Sequence, residues 1–193
     1  GSGETGLVVG AQYFTALTKP LYFNQKTDVE AGTLNIATKV TVLEINGSRV
    51  LVGINGWRKK IGAGRVIYFD FGLNILSAQL SKDAALEEGV MNVFEQKEDP
   101  MTGLTWQRVE AKIWTDADYL INDLQPLWDY ARTTYTRSCS VCHTQPAEAH
   151  FDANSWPGMF KGMIAFVNMD QDTQALVQKY LQEHSSTFDK SAH

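Results

Sequence analysis

The stretch that decides the fold is "LNIATKVTVLEINGSRVLVGINGW", residues 34–57. Its first half alternates apolar and polar residues, which is the two-residue period of a half-buried strand. Asn46 and Gly47 then supply a tight turn, and "RVLVGINGW" runs back along the first half. The stretch therefore predicts a β-hairpin.

Strand patterns continue from this hairpin to Thr115. "RVIYFDF" and "NILSAQL" are short strand candidates, and "GVMNVFEQKED" and "LTWQRVEAKIWT" flank a turn at residues 100–103. About six short strands with glycine-rich turns indicate a small barrel or sandwich. We expect an SH3-like β-barrel module over residues 20–115, and we expect residues 1–19, which begin "GSGETG", to be a cloning remnant and linker.

After Thr115 the pattern becomes helical. "DADYLINDLQPLWDYARTTYTRS" and "DQDTQALVQKYLQEH" both repeat apolar residues at spacings of three and four. "SWPGMFKGMIAF" carries two neighbouring apolar stripes, with Trp156, Phe160 and Ile164 on the first and Met159, Met163 and Phe166 on the second. The patterns predict an α+β protein of two domains, in which an all-α domain over residues 116–193 follows the barrel.

Composition excludes several classes of function. Hydrophobic residues make up 44% and charged residues 20% of the 193 residues, as in ordinary globular proteins. The net charge of −5 argues against nucleic acid as a partner, because phosphate binding needs a basic face. No apolar run approaches the roughly 20 residues of a membrane span, so we expect no membrane segment in this sequence.

Cys139, Cys142 and His143 carry the chemical motif, C-x-x-C-H, which is the pattern of covalent haem attachment. Each thiol adds to one vinyl group of the porphyrin, and the adjacent imidazole can then bind the iron. A structural zinc site would need a second ligand pair, and a thioredoxin-like redox pair would be expected after a strand rather than a helix. One motif predicts one covalent haem c, so we expect the all-α domain over residues 116–193 to be a monohaem cytochrome c domain.

The second axial ligand is open on sequence grounds, and the candidates are Met159, Met163, Met169, His150 and His184. Met163 is the first choice because it lies 20 residues after His143, which is enough chain to cross to the opposite face of the ring. Met169 and His150 remain alternatives, although His150 has a very short path and could instead bond locally or meet a propionate. His184 is expected to be solvated.

Iron with both axial positions filled has no site for a substrate, so the motif favours an electron carrier and not an enzyme. The alternative is a haem-based gas sensor or small haem enzyme with an open iron site. A further alternative is a regulatory module in which the β part recognises a partner. The basic stretch "NGWRKKIGAGR", with Arg58, Lys59, Lys60 and Arg65, is either a solvated loop or a docking surface.

The chain resembles the C-terminal part of the TorC/DorC type of pentahaem c-type cytochromes, in the NapC/NirT group. The similarity lies in "CSVCHTQPAEAHF", "WPGMFKGM" and "LVQKYLQ", and it spans most of residues 20–185. The C-x-x-C-H motif alone is shared by all c-type cytochromes, whereas its combination with H-F-x4-W-P-x5-M is more specific.

The resemblance implies a periplasmic electron carrier of anaerobic respiration. It implies that the full protein is anchored in the inner membrane, that an N-terminal tetrahaem domain takes electrons from quinol, and that the last haem passes them to a periplasmic molybdenum reductase, such as one for trimethylamine N-oxide. A sensor protein is a further expected partner. By residue, it implies haem attachment at Cys139 and Cys142 and ligation by His143 and Met163.

Overall fold

The structure is a computed structural model that describes residues 5–62, 64–139, 145–189 and 193, with only the backbone of Cys139. These residues form ten strands and four α-helices. The strands are β1 (Gln12–Thr15), β2 (Lys19–Tyr22), β3 (Glu30–Leu34), β4 (Lys39–Asn46), β5 (Arg49–Lys59), β6 (Val66–Asp70), β7 (Leu73–Leu80), β8 (Met91–Glu98), β9 (Thr105–Asp116) and β10 (Leu120–Ile121). The helices are α1 (Lys82–Leu86), α2 (Gln125–Cys139), α3 (Trp156–Ile164) and α4 (Gln171–Glu183).

The chain divides into two compact units. The first comprises Gly1–Gly72 and Leu76–Asp123, and the second comprises Leu73–Ile75 and Leu124–His193. In the described residues, all ten strands belong to one antiparallel sheet with the order β10-β1-β4-β5-β6-β7-β3-β2-β9-β8. This sheet closes on itself because β5 also pairs with β9.

The closed part of the sheet is a six-stranded barrel of β5, β6, β7, β3, β2 and β9. Strand β5 pairs with β9 along its whole length, from Arg49 opposite Asp116 to Lys59 opposite Trp106. The remaining strands extend the sheet beyond the barrel, with β4, β1 and β10 on one side and β8 on the other. Valine, leucine and isoleucine side chains from these strands fill the core; they include Leu21, Leu34, Val50, Val52, Ile54, Val109 and Ile113.

The predicted hairpin is present as β4 and β5. Asn46 lies opposite Arg49, and Gly47 occupies the left-handed region at φ 61°, where glycine carries no steric penalty. A register shift between Val42 and Glu44 adds a bulge to β4. Such a bulge bends a strand and increases its twist, as a barrel wall requires.

Two glycines allow the barrel to close. A Cβ atom at Gly56 would lie 2.3 Å from the Tyr68 carbonyl oxygen, and one at Gly32 would lie 2.2 Å from the Gln79 carbonyl oxygen. Both contacts are with the backbone of the neighbouring strand, which cannot move aside without breaking the sheet. The absence of a side chain at these positions therefore lets β6 approach β5 and β7 approach β3.

A buried arginine fixes the loop after β2. Arg49 is 8% exposed and lies 3.6 Å above the ring of Tyr22. Its guanidinium donates to the Thr27 carbonyl and forms ion pairs with Asp28 at 3.0 Å and Asp116 at 3.4 Å. One cation thus connects the loop to both β5 and β9, and the planar fork of arginine suits this number of acceptors.

Helices α2, α3 and α4 build the second unit. Each helix contributes one buried face, and the buried side chains are Ala131 and Tyr135 of α2, Trp156 and Phe160 of α3, and Leu176, Val177, Tyr180 and Leu181 of α4. Asp170 begins α4 as an N-cap, because its carboxylate accepts the Thr173 amide at 2.7 Å. No helix in the described part of the chain is long and apolar enough to cross a membrane.

The predicted α+β class, an SH3-like barrel followed by an all-α cytochrome c domain, is wrong. The chain is mostly β, with 37% of the described residues in strands and 25% in helices. The pattern missed β1 and β2, which have four residues each, and β10, which has two. Strands this short are too brief to show a two-residue period, so only pairing with neighbours reveals them.

Gly56→Ala should destabilise the barrel by about 1–3 kcal/mol, because the new methyl group meets backbone atoms. Gly53→Ala in the same strand is the matched control. Its Cβ would lie 2.9 Å from a Glu110 carboxylate oxygen, which a side-chain rotation can move away. Urea unfolding curves of the two variants give the comparison, and equal midpoints would show that the close approach at Gly56 does not limit the fold.

Candidate haem-binding site

Helix α2 leads directly into the C-x-x-C-H motif. Ala131 and Tyr135 are buried one turn apart and fix the orientation of the helix, which ends at Cys139. The side chain of Cys139 lies outside the described residues, as do Cys142 and His143. Haem attachment and proximal ligation by these residues therefore stay predictions from the sequence.

Three aromatic side chains from three helices hold the segment that follows the motif. Tyr135 of α2 donates its hydroxyl to the Pro146 carbonyl. Trp156 of α3 donates its indole N–H to the Glu148 carbonyl at 2.9 Å, and Tyr180 of α4 donates its hydroxyl to Glu148 Oε2 at 3.0 Å. We call these three side chains the aromatic clamp. The clamp fixes the chain only three to five residues beyond the predicted proximal histidine.

The clamp changes the acidity of one of its members. Burial raises the pKa of the Tyr180 phenol to about 12, with the Glu148 charge and its hydrogen bond acting in the same direction. Loss of the phenol proton would place two negative charges side by side. The protonated phenol is therefore the form that holds Glu148 in place.

The two apolar stripes of α3 have different surroundings. Trp156 and Phe160 on the first stripe are 0% and 1% exposed. On the second stripe Met159 is 48% exposed, Phe166 just beyond the helix is 80% exposed, and Met163 is half-buried. The described residues thus leave an apolar, methionine-bearing surface uncovered in this unit.

That surface fits a haem. A porphyrin is a large apolar plate, and it would remove the second stripe from water in the way that a core side chain does. The thioethers on the stripe are soft donors that suit haem iron. The donor set and the uncovered surface therefore agree with the group that the motif predicts.

The structure places the other candidate ligands differently. Met169 is half-buried in the segment before α4, and its carbonyl accepts a hydrogen bond from Gln174. His150 is exposed, and its ring makes an edge contact with Phe151 at 4.7 Å between centroids.

His184, which we expected to be solvated, is half-buried. Its ring lies 5.6 Å from Trp128 and 4.3 Å from Tyr180, and its Nδ1 lies 2.7 Å from the Tyr180 carbonyl oxygen. His184 follows the last residue of α4, where helical spacing turns it towards α2. Sequence position near a terminus gave no sign of this packing.

A buried lysine also escaped sequence reasoning. Lys179 on α4 is 3% exposed, and burial lowers its pKa to about 7, although the charge of Glu183 opposes the shift. It lies between Leu176 and Tyr180 in the chain, but helical spacing turns it about 100° away from Tyr180, outside the face that the pattern assigned to the core. Lysine is rarely buried in proteins, so residue type argued against the position.

Comparisons with known proteins agree with a c-type cytochrome. The family model described as "TorC third cytochrome c domain" matches residues 8–120. "Cytochrome c-type protein TorC" of Escherichia coli strain K12 is 32% identical over 175 residues, which cover 91% of this chain and 44% of the relative. "Cytochrome c-type protein TorY" of E. coli O157:H7 is 27% identical over 155 residues, which cover 79% and 40%.

The matches cover only part of each relative, and the family model covers only part of this chain. The chain spans less than half the length of the curated relatives it matches. The range matched by the family model contains neither cysteine, because both lie after residue 120. The match to the TorC relative is longer and covers 175 residues. No solved structure gave a significant match.

Tyr180→Phe should cost about 1 kcal/mol of stability at neutral pH, because it removes one hydrogen bond to Glu148. The raised pKa adds a pH dependence. The stabilisation that the protonated Tyr180 phenol provides is complete below the ordinary phenol pKa of 10.0. It is lost as pH rises towards about 12, where the phenol of the folded protein ionises. The stability gap between wild type and variant should therefore narrow between these values.

Urea unfolding followed by helical circular dichroism at several pH values measures this gap. Tyr130→Phe, at a tyrosine that is 55% exposed on α2, is the matched control and should change little. If the difference in the free energy of unfolding between wild type and variant stays constant through pH 12, the hydroxyl proton of Tyr180 does not hold Glu148.

Proposed function

The chain belongs to the TorC family of c-type cytochromes, electron-transfer proteins and not enzymes, and on that premise we propose that it carries electrons through one covalently attached haem. The observation that supports this proposal best is a coincidence of two features. The only two cysteines of the chain form C-x-x-C-H at the end of α2, and α3 in the same unit has an uncovered methionine stripe.

Each residue of the proposed site has a distinct task. Cys139 and Cys142 would hold the porphyrin through thioether bonds, and His143 and Met163 would bind the iron, with Met169 and His150 as alternatives to Met163. When bound, the haem would supply a one-electron iron couple. If the chain provides both of these iron ligands, no position is left for a substrate, as suits a carrier.

The protein around the site favours reversible electron transfer. A methionine thioether stabilises reduced iron and raises the potential relative to a second imidazole. Trp156 and Phe160 form a packed layer behind the methionine stripe, so α3 offers a firm surface. The aromatic clamp restrains the segment after His143, which would limit movement of the chain beside a bound haem.

The proposed place of this chain is near the end of a respiratory chain in the periplasm. The relatives are longer than this chain, and we propose that the full protein is anchored in the inner membrane and carries an N-terminal tetrahaem domain as the donor. The proposed acceptor is a terminal molybdenum reductase, such as a trimethylamine N-oxide reductase. A sensor protein that reads the state of this cytochrome is a further proposed partner.

The ligation is tested by optical spectra of the holoprotein and of two histidine variants. Wild type should show a sharp c-type band when reduced and a weak far-red sulfur-to-iron charge-transfer band when oxidised. Met163→His should abolish the far-red band, keep low-spin iron and lower the potential, because an imidazole replaces the thioether. Met159→His, one turn earlier on the same stripe, should change neither the far-red band nor the potential.

Three other results would contradict parts of this proposal. A far-red band that survives Met163→His would assign the ligand to another methionine. Rapid carbon monoxide binding to the reduced wild type, without displacement of a ligand, would favour a gas sensor or haem enzyme instead. Haem that stays attached after acid-acetone extraction of Cys139→Ala/Cys142→Ala would contradict the covalent site itself.

A further inference from the structure

The outer face of the barrel carries two lysines on either side of a tryptophan. In the sheet register Trp106 of β9 lies opposite Lys59 of β5 and opposite Lys97 of β8. Val109 and Ala111 of β9 point into the barrel core, so Trp106 belongs to the outward-facing set by alternation. Neighbouring strands are about 4.8 Å apart, which puts the two lysine backbones about 10 Å apart.

Both ammonium groups lie over aromatic rings. Lys59 Nζ is 5.0 Å from the Tyr68 ring and 5.3 Å from the Trp106 ring. Lys97 Nζ is 4.1 Å from the Phe71 ring and 5.2 Å from the Trp57 ring. We call this surface the cation–aromatic face, and its members are Trp57, Lys59, Tyr68, Phe71, Lys97 and Trp106.

The rings beneath the lysines form one connected cluster. Phe71 contacts Trp57 at 5.2 Å and Trp106 at 5.9 Å between ring centroids, and Tyr68 contacts Trp106 at 5.5 Å. Trp106 is only 2% exposed although it lies on the outer side of the sheet. The lysines are therefore supported by a packed layer and are not free to sample all directions.

This face has an excess of donors over acceptors. Lys59 and Lys97 form no ion pair within the described residues, whereas Lys19, Arg49, Arg108 and Lys112 each pair with a carboxylate. The indole N–H of Trp106 is buried and has no hydrogen-bond acceptor in the described part of the chain.

We propose that the cation–aromatic face docks an acidic segment of a partner protein, with carboxylates that meet Lys59 and Lys97. An ammonium over a ring directs its remaining N–H groups outward, where a carboxylate can accept them. The half-buried rings of Tyr68 and Phe71 add apolar contact area of the kind that protein interfaces use. This proposal does not depend on the haem or on its ligands.

Charge distribution favours protein over other anionic partners. A long nucleic acid would be repelled by the chain as a whole, whose net charge is −5. An anionic membrane is usually recognised by clusters of about 4–8 basic residues, whereas this face presents two ammonium groups free of carboxylates in the described residues. Two local cations on an acidic protein suit a partner whose carboxylates are few and placed at matching positions.

The basic stretch seen in the sequence is only partly the same surface. Arg58 donates to Gln107 Oε1 at 2.9 Å, and Arg65 donates to the Leu80 carbonyl at 2.9 Å, so both guanidinium groups are used within the barrel. Lys60 is exposed beyond the end of β5. Of the four basic residues in that stretch only Lys59 joins the face, and Lys97 comes from a strand far along the chain.

Zero-length carbodiimide crosslinking of the full holoprotein to a short glutamate-rich peptide tests the proposal. This reagent joins a lysine amine to a carboxylate only when the two touch, and mass spectrometry identifies the lysine. Crosslinks should concentrate at Lys59 and Lys97. Lys59→Gln/Lys97→Gln should weaken peptide binding about tenfold, as expected for the loss of two partly desolvated charge contacts.

Lys60→Gln is the matched control and should bind the peptide like wild type, and Lys59→Arg should retain binding because it keeps the charge. The same peptide with glutamine in place of glutamate should not bind. Crosslinks spread evenly over all exposed lysines, or equal binding of the glutamine peptide, would overturn the proposal. Stronger capture by anionic lipid vesicles, lost in the double variant, would overturn it in favour of a membrane surface.

Discussion

The pairing of β5 with β9 is the constraint on which the first unit depends. It runs the full length of β5 and turns an open sheet into a closed six-stranded barrel. Closure removes two edges at which the sheet could otherwise pair with other chains. The price is a close approach to β6, which only glycine at position 56 permits.

The same pairing decides which side chains of β5 and β9 face the core and which face outward. Alternation sends valines and isoleucines of β5 and β9 into the core and sends Lys59 and Trp106 outward. At the opposite end of the pair, Arg49 and Asp116 face each other and hold the loop after β2. Cations at the two ends thus have different environments, since Arg49 is surrounded by acceptors and Lys59 lies over rings.

The second unit depends on helix packing and not on strand pairing. Its three helices bury one face each and leave the methionine stripe of α3 uncovered in the described residues. Packing by itself therefore does not complete this unit, whereas a covalently attached haem would. The aromatic clamp adds directional hydrogen bonds, which fix a segment that apolar burial would leave less well defined.

The sequence alone determined the features that depend on local order. The turn at Asn46 and Gly47, the C-x-x-C-H motif with its prediction of haem attachment, and the two stripes of α3 all follow from residue types at short spacing. Tertiary structure decided the mostly β architecture, because the short strands β1, β2 and β10 exist only through pairing. It also decided the clamp on Glu148, the burial of Lys179 and the placement of Lys59 and Lys97 on either side of Trp106. Each of these joins residues from separate elements, and no local period records which elements become neighbours.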